Sequence, residues 1–195
     1  MDENCIADPI LYDDLIARLG TATELAFREQ VTKALLSKGA TLSALDHSEE
    51  IAVYDDLLAR FGTATELPLR EEVAKALLHK GLALGALDRS EEEIAVYDDL
   101  IARFSDATEL PLRELVANAL LNKGDSLFAL DRHSEEIVIY DDLLSRFGTA
   151  TELELRGHVA AALLKKGVAL GNLDRNTEEI AVLDDLLARS GTATE

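Results

Sequence analysis

The sequence predicts an all-α protein built from repeated helix pairs, and three observations support this fold class. A Tyr-Asp-Asp or Leu-Asp-Asp block begins at positions 12, 54, 97, 140 and 183, which gives spacings of 42, 43, 43 and 43 residues. A Lys-Gly pair recurs at 38, 80, 123 and 166. Each period holds two stretches of helical apolar periodicity, and none alternates with the period of two that strands require. Because one pair cannot bury its apolar face alone, stacked pairs form an α-solenoid.

The first helix of each period is clearest from about Glu66 to Leu87. Thr65 stands at the expected N-cap, and Pro68 falls in the first turn, where its missing N–H costs little. Apolar residues at spacings of three, four and seven form its buried face: Leu69, Val73, Ala76, Leu77, Leu84 and Leu87.

The second helix opens at Ser90, with Glu93 three residues later in the pattern of a capping box. Its apolar stripe consists of Ile94, Tyr97, Leu100, Ile101 and Phe104. We expect left-handed glycine caps to end the second helices at Gly62, Gly148 and Gly191.

The whole chain reads as one repeat array with about nine helices. A partial repeat, containing only a second helix near Ile6 to Leu19, precedes four helix pairs. The predicted boundaries are 1–22, 23–64, 65–107, 108–150 and 151–195. In the last helix, Leu183 replaces Tyr and Ser190 replaces Phe, which favours an exposed end of the array over a fragment of a longer one.

Composition excludes several classes of function. The formal net charge is −19 and 48% of the 195 residues are hydrophobic, so we expect an acidic globular protein that binds neither nucleic acid nor anionic membranes. No apolar run reaches the roughly 18 to 20 residues of a spanning helix. The N-terminus lacks the pattern of a signal peptide, and the single cysteine, Cys5, cannot form an internal disulfide. These features predict a cytoplasmic location.

The repeats resemble the tetratricopeptide repeat (TPR). Placing Gly81 on that family's first-helix glycine puts Leu77 and Leu84 on its large apolar positions and Tyr97 on its second-helix aromatic. The same register holds around Gly124. The resemblance implies a right-handed superhelix that acts as a binding scaffold, with first helices lining its concave face.

The repeats also depart from that family. They exceed its period of about 34 residues, no proline closes each unit, and Glu93 or Glu136 occupies the usual second-helix alanine. The chain is therefore similar to the longer-helix relatives with 42-residue repeats. The family's clamp for a terminal carboxylate is not matched, because its key positions carry Leu36, Leu78, Leu121 and Leu164.

The four copies differ most along one face of the first helix, which we call the variable stripe. Its positions follow each other at spacings of three and four, so they share one helical face. They are Gln30, Lys33, Ser37, Ala40 and Ala44, with their equivalents in the later copies. The residues that stay identical in every copy are Val31, Ala34, Leu35, Lys38, Gly39, Leu42 and Leu45, with their equivalents.

The variable stripe has three interpretations. It is a solvent-facing surface whose residues vary without constraint, a groove that binds a ligand, or a self-association surface. The resemblance places the positions beginning at Lys33, Ala40 and Ala44 on the concave, peptide-contacting face. Mixed apolar and polar lining suits an extended peptide or a helix. The candidate groove residues are Lys33, Ser37, Glu72, Lys75, His79, Leu82, Leu115, Asn118, Asn122, Asp125, Phe128, His158, Lys165, Val168 and Asn172.

No pattern of catalytic or metal-binding residues stands out. His47 and His133 fall in connectors, while His79 and His158 are two repeats apart, so we interpret all four as surface histidines. The chain has no metal-binding H-E-x-x-H, phosphate loop or nucleophile elbow. We therefore expect no enzyme, no metal and no cofactor.

The five aspartate pairs have structural interpretations. Neighbouring helical residues point about 100° apart, so the carboxylates of one pair do not converge on calcium, the functional alternative. The second aspartate of each pair precedes an arginine by four residues, as Asp56 precedes Arg60. For the first aspartate we predict a ladder of inter-helix ion pairs with Lys38, Lys80, Lys123 and Lys166.

These observations predict a non-enzymatic scaffold that binds a peptide or protein segment on its concave face. The alternative is a structural module that self-associates through exposed repeat ends or through the groove.

Overall fold

The computed structural model describes residues 24–191, with side chains up to 189, and this part of the chain contains eight α-helices and no strand. The first helices of the repeats are α1 (Leu25–Leu42), α3 (Leu67–Ala86), α5 (Leu110–Ala129) and α7 (Leu153–Asn172). The second helices are α2 (His47–Phe61), α4 (Ser90–Phe104), α6 (His133–Phe147) and α8 (Asn176–Gly191). The all-α repeat fold is confirmed, while the partial helix predicted near Ile6 to Leu19 lies outside the described residues.

The chain divides into two compact units, one ending at Val96 and one starting at Tyr97, so the division falls inside α4. In unit 1, α2 packs against both α1 and α3, and α1 also contacts α3. In unit 2, α5, α6, α7 and α8 pack in sequence, and α5 also contacts α7. Each unit therefore shows first helices side by side, as a solenoid of helix pairs requires.

A glycine facing a tyrosine forms the centre of the repeat. A Cβ on Gly39 would collide with the ring of Tyr54, and a Cβ on Gly124 would collide with the ring of Tyr140. Both tyrosines are fully buried. This close approach explains the Lys-Gly and Tyr-Asp-Asp patterns together, because the ring of the second helix occupies the space of the missing side chain.

The predicted apolar faces of α3 and α4 are buried with one exception, Leu87. In α3 and α4, Leu69, Val73, Leu84, Tyr97 and Leu100 are among the buried residues. Leu87 is exposed because it follows the last turn of α3, and its equivalent Leu45 is exposed as well. This position is leucine in every copy, and yet it is not part of the core.

Three predicted helix-end signals are wrong. Glu66, not Thr65, occupies the N-cap of α3, and its side chain makes no cap bond to the helix. Ser90 is already inside α4, so it cannot be the N-cap of a capping box. Gly62 and Gly148 have right-handed φ values of −58° and −59° rather than left-handed ones, and Gly191 lies within α8.

Within residues 24–191, the left-handed residues are aspartates at the ends of first helices. Asp88, Asp131 and Asp174 have φ values of 57°, 56° and 57°. Aspartate tolerates this conformation better than most residues because its short polar side chain bonds locally. In the shorter first connector, Asp46 instead has φ −153° and caps α2, since its carboxylate accepts the N–H groups of Ser48 and Glu49.

The predicted lysine ladder is confirmed for the described pairs. Lys80 bonds to Asp55 at 2.6 Å, Lys123 to Asp98 at 2.6 Å and Lys166 to Asp141 at 2.5 Å. Each lysine belongs to the repeat after its aspartate, so the ladder joins consecutive repeats. The aspartates remain about half exposed, which suits a role in register more than in stability.

The intrahelical pairs of the second aspartates are also confirmed. They are Asp56–Arg60, Asp99–Arg103, Asp142–Arg146 and Asp185–Arg189, with nitrogen to oxygen distances from 2.7 to 2.9 Å. Exposed pairs at this spacing contribute roughly 0.3 to 0.5 kcal/mol each.

Candidate binding site on the first-helix face

The variable stripe of unit 2 forms one surface across α5 and α7, which we call the first-helix face. Two pairs of stripe residues join the helices. Nζ of Lys165 donates to Oδ1 of Asp125 at 2.6 Å, and Nε2 of His158 lies 3.0 Å from Oδ1 of Asn118. Four residues predicted from separate repeats are thereby brought together in the structure. Each pair therefore links α5 to α7.

Apolar side chains stand beside these polar pairs. Phe128 on α5 and Val168 on α7 are nearly half exposed, although both belong to helices with large buried faces. Leu164, on the following turn of α7 toward its N-terminus, is exposed as well. Asn122 on α5 is partly exposed, and no described group bonds to its carboxamide. The surface therefore combines apolar contact area with an amide that can both donate and accept.

The variable stripe of unit 1 is divided between exposed and buried side chains. Lys33, Ser37 and Leu82 are exposed. Glu72 is buried and accepts a bond from Lys75 at 3.0 Å. His79 is partly buried and stacks on Tyr54 with 6.0 Å between ring centroids. Burial lowers the pKa of His79, so at neutral pH its imidazole is uncharged.

The two remaining candidates of unit 2 differ in exposure. Leu115 is partly buried on α5, and Asn172 is exposed at the last position of α7. The structure thus places most predicted groove residues at the surface, with Glu72 as the buried exception.

A buried acidic group lies below the first-helix face in unit 2. Glu136 is almost fully buried, and Nδ1 of His133 lies 3.0 Å from its Oε2. Burial raises the pKa of Glu136, while His133 opposes that shift. The His133 ring also contacts the exposed Phe128, with centroids 5.3 Å apart. Sequence reasoning missed this cluster, although a Ser-Glu-Glu run follows the first three connectors and places Glu50, Glu93 and Glu136 on the buried face.

The described residues contain neither a group of three potential metal ligands nor a helix long and apolar enough to cross a membrane. Their surface chemistry consists of ion pairs, amides and exposed apolar groups.

The helix pairs, the glycine–tyrosine contact and the side-by-side first helices define a helical repeat protein of the TPR-like type. A crystal structure from Podosopora anserina, described as a kinesin light chain of nearly identical TPR-like repeats, is similar with a TM-score of 0.61 and 10% identity; the alignment covers 96% of this chain and 87% of that one. A crystal structure of an engineered protein has a TM-score of 0.52 and 19% identity over 99% of this chain and 80% of that one. At these identities the likeness concerns the fold.

No protein-family model matches the chain, and no curated protein matches it.

Proposed function

We propose that this chain is a non-enzymatic scaffold that binds a segment of another protein on its first-helix face. The observation that carries the proposal is the pairing of exposed apolar side chains, Phe128 and Val168, with polar groups held between α5 and α7. The TPR-like fold supports it, since such repeats commonly mediate protein interactions. A location in the cytoplasm is part of the same proposal.

Preorganisation favours binding at this surface. The cross-helix bonds of Asp125 and Lys165 fix two long or flexible side chains before a ligand arrives. Less conformational entropy is then lost on association. Phe128 and Val168 supply apolar anchors, and the carboxamide of Asn122 can bond to a peptide backbone. The expected ligand is a short apolar segment with unpaired backbone groups, either extended or at the end of a helix.

Selection from a displayed random peptide library tests this proposal directly. A peptide selected on the full chain is labelled, and its dissociation constant is measured by fluorescence anisotropy. Val168→Glu should weaken binding by roughly tenfold or more, because it places an unpaired carboxylate against the apolar part of the ligand.

Val138→Glu is the matched control. Val138 is 63% exposed on α6, a second helix, whereas Val168 is 48% exposed on α7. Both variants add the same charge at an exposed valine, so only their faces differ. Equal binding by wild type and Val168→Glu, or equal loss in the two variants, would contradict the assignment of the face.

Self-association is the second candidate function, and a different surface favours it. Leu153 and Leu187 near the exposed side of α7 and α8 are the most solvent-accessible leucines of unit 2. Neither leucine is a position of the variable stripe.

A further inference from the structure

One position of the variable stripe pairs a buried tyrosine hydroxyl in unit 2. Oδ1 of Asp125 accepts from the hydroxyl of Tyr140 at 3.4 Å and from Nζ of Lys165 at 2.6 Å. The side chain of Asp125 is 51% exposed, whereas Tyr140 is fully buried. The carboxylate therefore reaches the buried hydroxyl from the surface.

Unit 1 has an alanine at this position. Ala40 is exposed, and the buried hydroxyl of Tyr54 has no hydrogen-bond partner among the described residues. The two tyrosine hydroxyls occupy equivalent places, because a Cβ on the facing glycine would lie 2.8 Å from the oxygen in unit 1 and 2.6 Å from it in unit 2. A buried donor without a partner is unfavourable, so a ligand group that accepts from Tyr54 gains affinity.

His79 on α3 stands where unit 2 has Lys165. Its ring stacks on Tyr54 with 6.0 Å between the centroids and 24° between the planes. No described group forms a hydrogen bond with either nitrogen of this ring. Unit 1 therefore presents a hydroxyl and an imidazole N–H on neighbouring rings, at the positions from which Tyr140 and Lys165 bond to Asp125.

The same stripe of unit 1 carries apolar and basic side chains. Leu82 on α3 is 46% exposed and stands where unit 2 has Val168. Lys33 on α1 is exposed, and the side chain of Lys75 on α3 is 41% exposed. Positive charge on this surface attracts an anionic group, and Leu82 offers contact to an apolar one.

The buried acid below the stripe does not exclude an anion. Glu50 is 4% exposed, and Nδ1 of His47 lies 2.9 Å from its carboxylate. In unit 2, Glu136 is paired with His133 in the same way, and the carboxylate of Asp125 is close enough to raise the pKa of Glu136 further. The repeat therefore tolerates a second carboxylate at this place.

We propose that unit 1 binds an acidic side chain of a protein segment, with its carboxylate in the place that Asp125 takes in unit 2. The hydroxyl of Tyr54 and the N–H of His79 donate to this carboxylate. Leu82 contacts an apolar residue next to the acidic one. The site shares no residue with the first-helix face of unit 2, so it goes beyond the proposed function.

The protonation of His79 gives this site a measurable signature. In the free chain, burial lowers the pKa of His79; Glu50 on α2 opposes that shift, and Lys75 on α3 adds to it. Ala40, the facing stripe position of α1, is uncharged. A bound carboxylate raises the pKa of His79, because an opposite charge favours the imidazolium. Binding therefore takes up a proton, and the affinity should fall as pH rises from 6 to 8.

Peptide selection on the full-length Val168→Glu variant tests the proposal. This variant carries an added charge on the first-helix face of unit 2, so the two sites are tested separately. The displayed random peptides have no free C-terminus, which leaves side chains as the source of carboxylates. We expect the selected peptides to share an aspartate or glutamate beside an apolar residue. Fluorescence anisotropy of a labelled selected peptide at pH 6 gives its dissociation constant.

A carboxylate supplied by the chain itself should compete with the peptide. Ala40→Asp, added to the Val168→Glu variant, should weaken binding by roughly tenfold or more, because the new side chain takes the place of the ligand carboxylate. Ala52→Asp is the matched control. Ala52 is an exposed alanine of α2, so the same charge is added outside the stripe and binding should not change.

Two further variants test the donors in the same background. Tyr54→Phe should weaken binding severalfold. His79→Gln should weaken binding and remove its pH dependence, since glutamine does not titrate. Circular dichroism melting confirms that each variant is folded.

Several results would overturn the proposal. They are a selection that recovers no peptide or only peptides without an acidic residue, and a loss of affinity in Ala40→Asp no larger than that in Ala52→Asp. Unchanged binding by Tyr54→Phe, or an affinity that rises with pH in the chain with His79, would equally contradict the assigned donors.

Discussion

Units 1 and 2 have the same arrangement of buried residues, which we call the frame, but they differ along the variable stripe. In both, a tyrosine of a second helix lies against a first-helix glycine, and a buried glutamate precedes that tyrosine by one turn. Nδ1 of His47 lies 2.9 Å from Glu50 in unit 1, and Nδ1 of His133 lies 3.0 Å from Glu136 in unit 2. The repeat therefore reproduces its polar interior as well as its apolar core.

One stripe position changes the surroundings of the tyrosine. In unit 2, the Tyr140 hydroxyl donates to Asp125 at 3.4 Å, and Asp125 also accepts from Lys165. In unit 1, Ala40 stands at the position of Asp125, and the buried hydroxyl of Tyr54 has no partner among the described residues. Burial raises the pKa of both phenols. Substitution along the stripe thus alters the electrostatics below the first-helix face while the frame is kept.

The largest predicted effect comes from breaking the shared frame. Gly39→Ala and Gly124→Ala should each destabilise the protein by roughly 1 to 3 kcal/mol, because the new methyl group overlaps the ring of Tyr54 or Tyr140. Urea unfolding monitored by circular dichroism measures both changes. Similar losses at the two sites would show that the frame is equivalent in the two units.

Gly157→Ala is the control for this prediction. Gly157 lies inside α7, and a Cβ there would meet no atom within 4 Å. The variant should be more stable than wild type by roughly 0.5 to 1 kcal/mol, since alanine favours the helix over glycine. Destabilisation at Gly157 comparable to that at Gly124 would sink the steric explanation.

A smaller effect should distinguish the two tyrosines. Tyr54→Phe removes a buried hydroxyl without a described partner, so we expect no loss of stability or a gain of up to about 1 kcal/mol. Tyr140→Phe removes the donor to Asp125 and should cost roughly 0.5 to 1 kcal/mol. Chemical denaturation of the two variants gives the difference. If Tyr54→Phe were the more destabilising change, the contrast between the units would be wrong.

The third prediction concerns the pH dependence of stability, because the pKa values of two glutamates of unit 2 are shifted in opposite directions. Burial raises the pKa of Glu136 above its usual value of 4.5. Its stabilising contribution is therefore complete at low pH and is lost as pH rises through the folded-state pKa. Glu152 has a lowered pKa because its carboxylate accepts its own backbone N–H and a bond from Arg113. Its contribution is present above 4.5 and is lost as pH falls.

Glutamine variants should reveal these signs. Between pH 4 and pH 7, the stability of Glu136→Gln relative to wild type should rise with pH, whereas that of Glu152→Gln should fall. Unfolding free energies at several pH values measure both slopes. Slopes of the same sign in the two variants would refute the assignment of the buried and paired carboxylates.

Sequence periodicity predicted the fold well because the frame depends on repeated contacts. The glycine and the tyrosine recur together because the tyrosine ring fills the space that a side chain at the glycine position would occupy. Helix ends were predicted less well, because φ is not visible in a residue pattern: Gly62 is right-handed, while Asp88 takes the left-handed conformation. The predicted site shows the same limit. Exposure of Val168 follows from helical spacing, but burial of Glu72 depends on a neighbouring helix.

The lysine ladder could be predicted because its residues repeat, but the cross-helix pairs of the variable stripe could not. Asn118 and His158 are 40 residues apart, and their approach requires the packing of α5 against α7.

The central claim is that the changing residues of the first helices, rather than the repeated residues of the second helices, bind the ligand. NMR shift mapping of a selected peptide on the isotope-labelled full chain tests it most directly. We predict that the largest shifts in unit 2 fall on Asn122, Phe128, Lys165 and Val168, with little change along the exposed side of α6 around Val138. Shifts centred on α6 would contradict the claim.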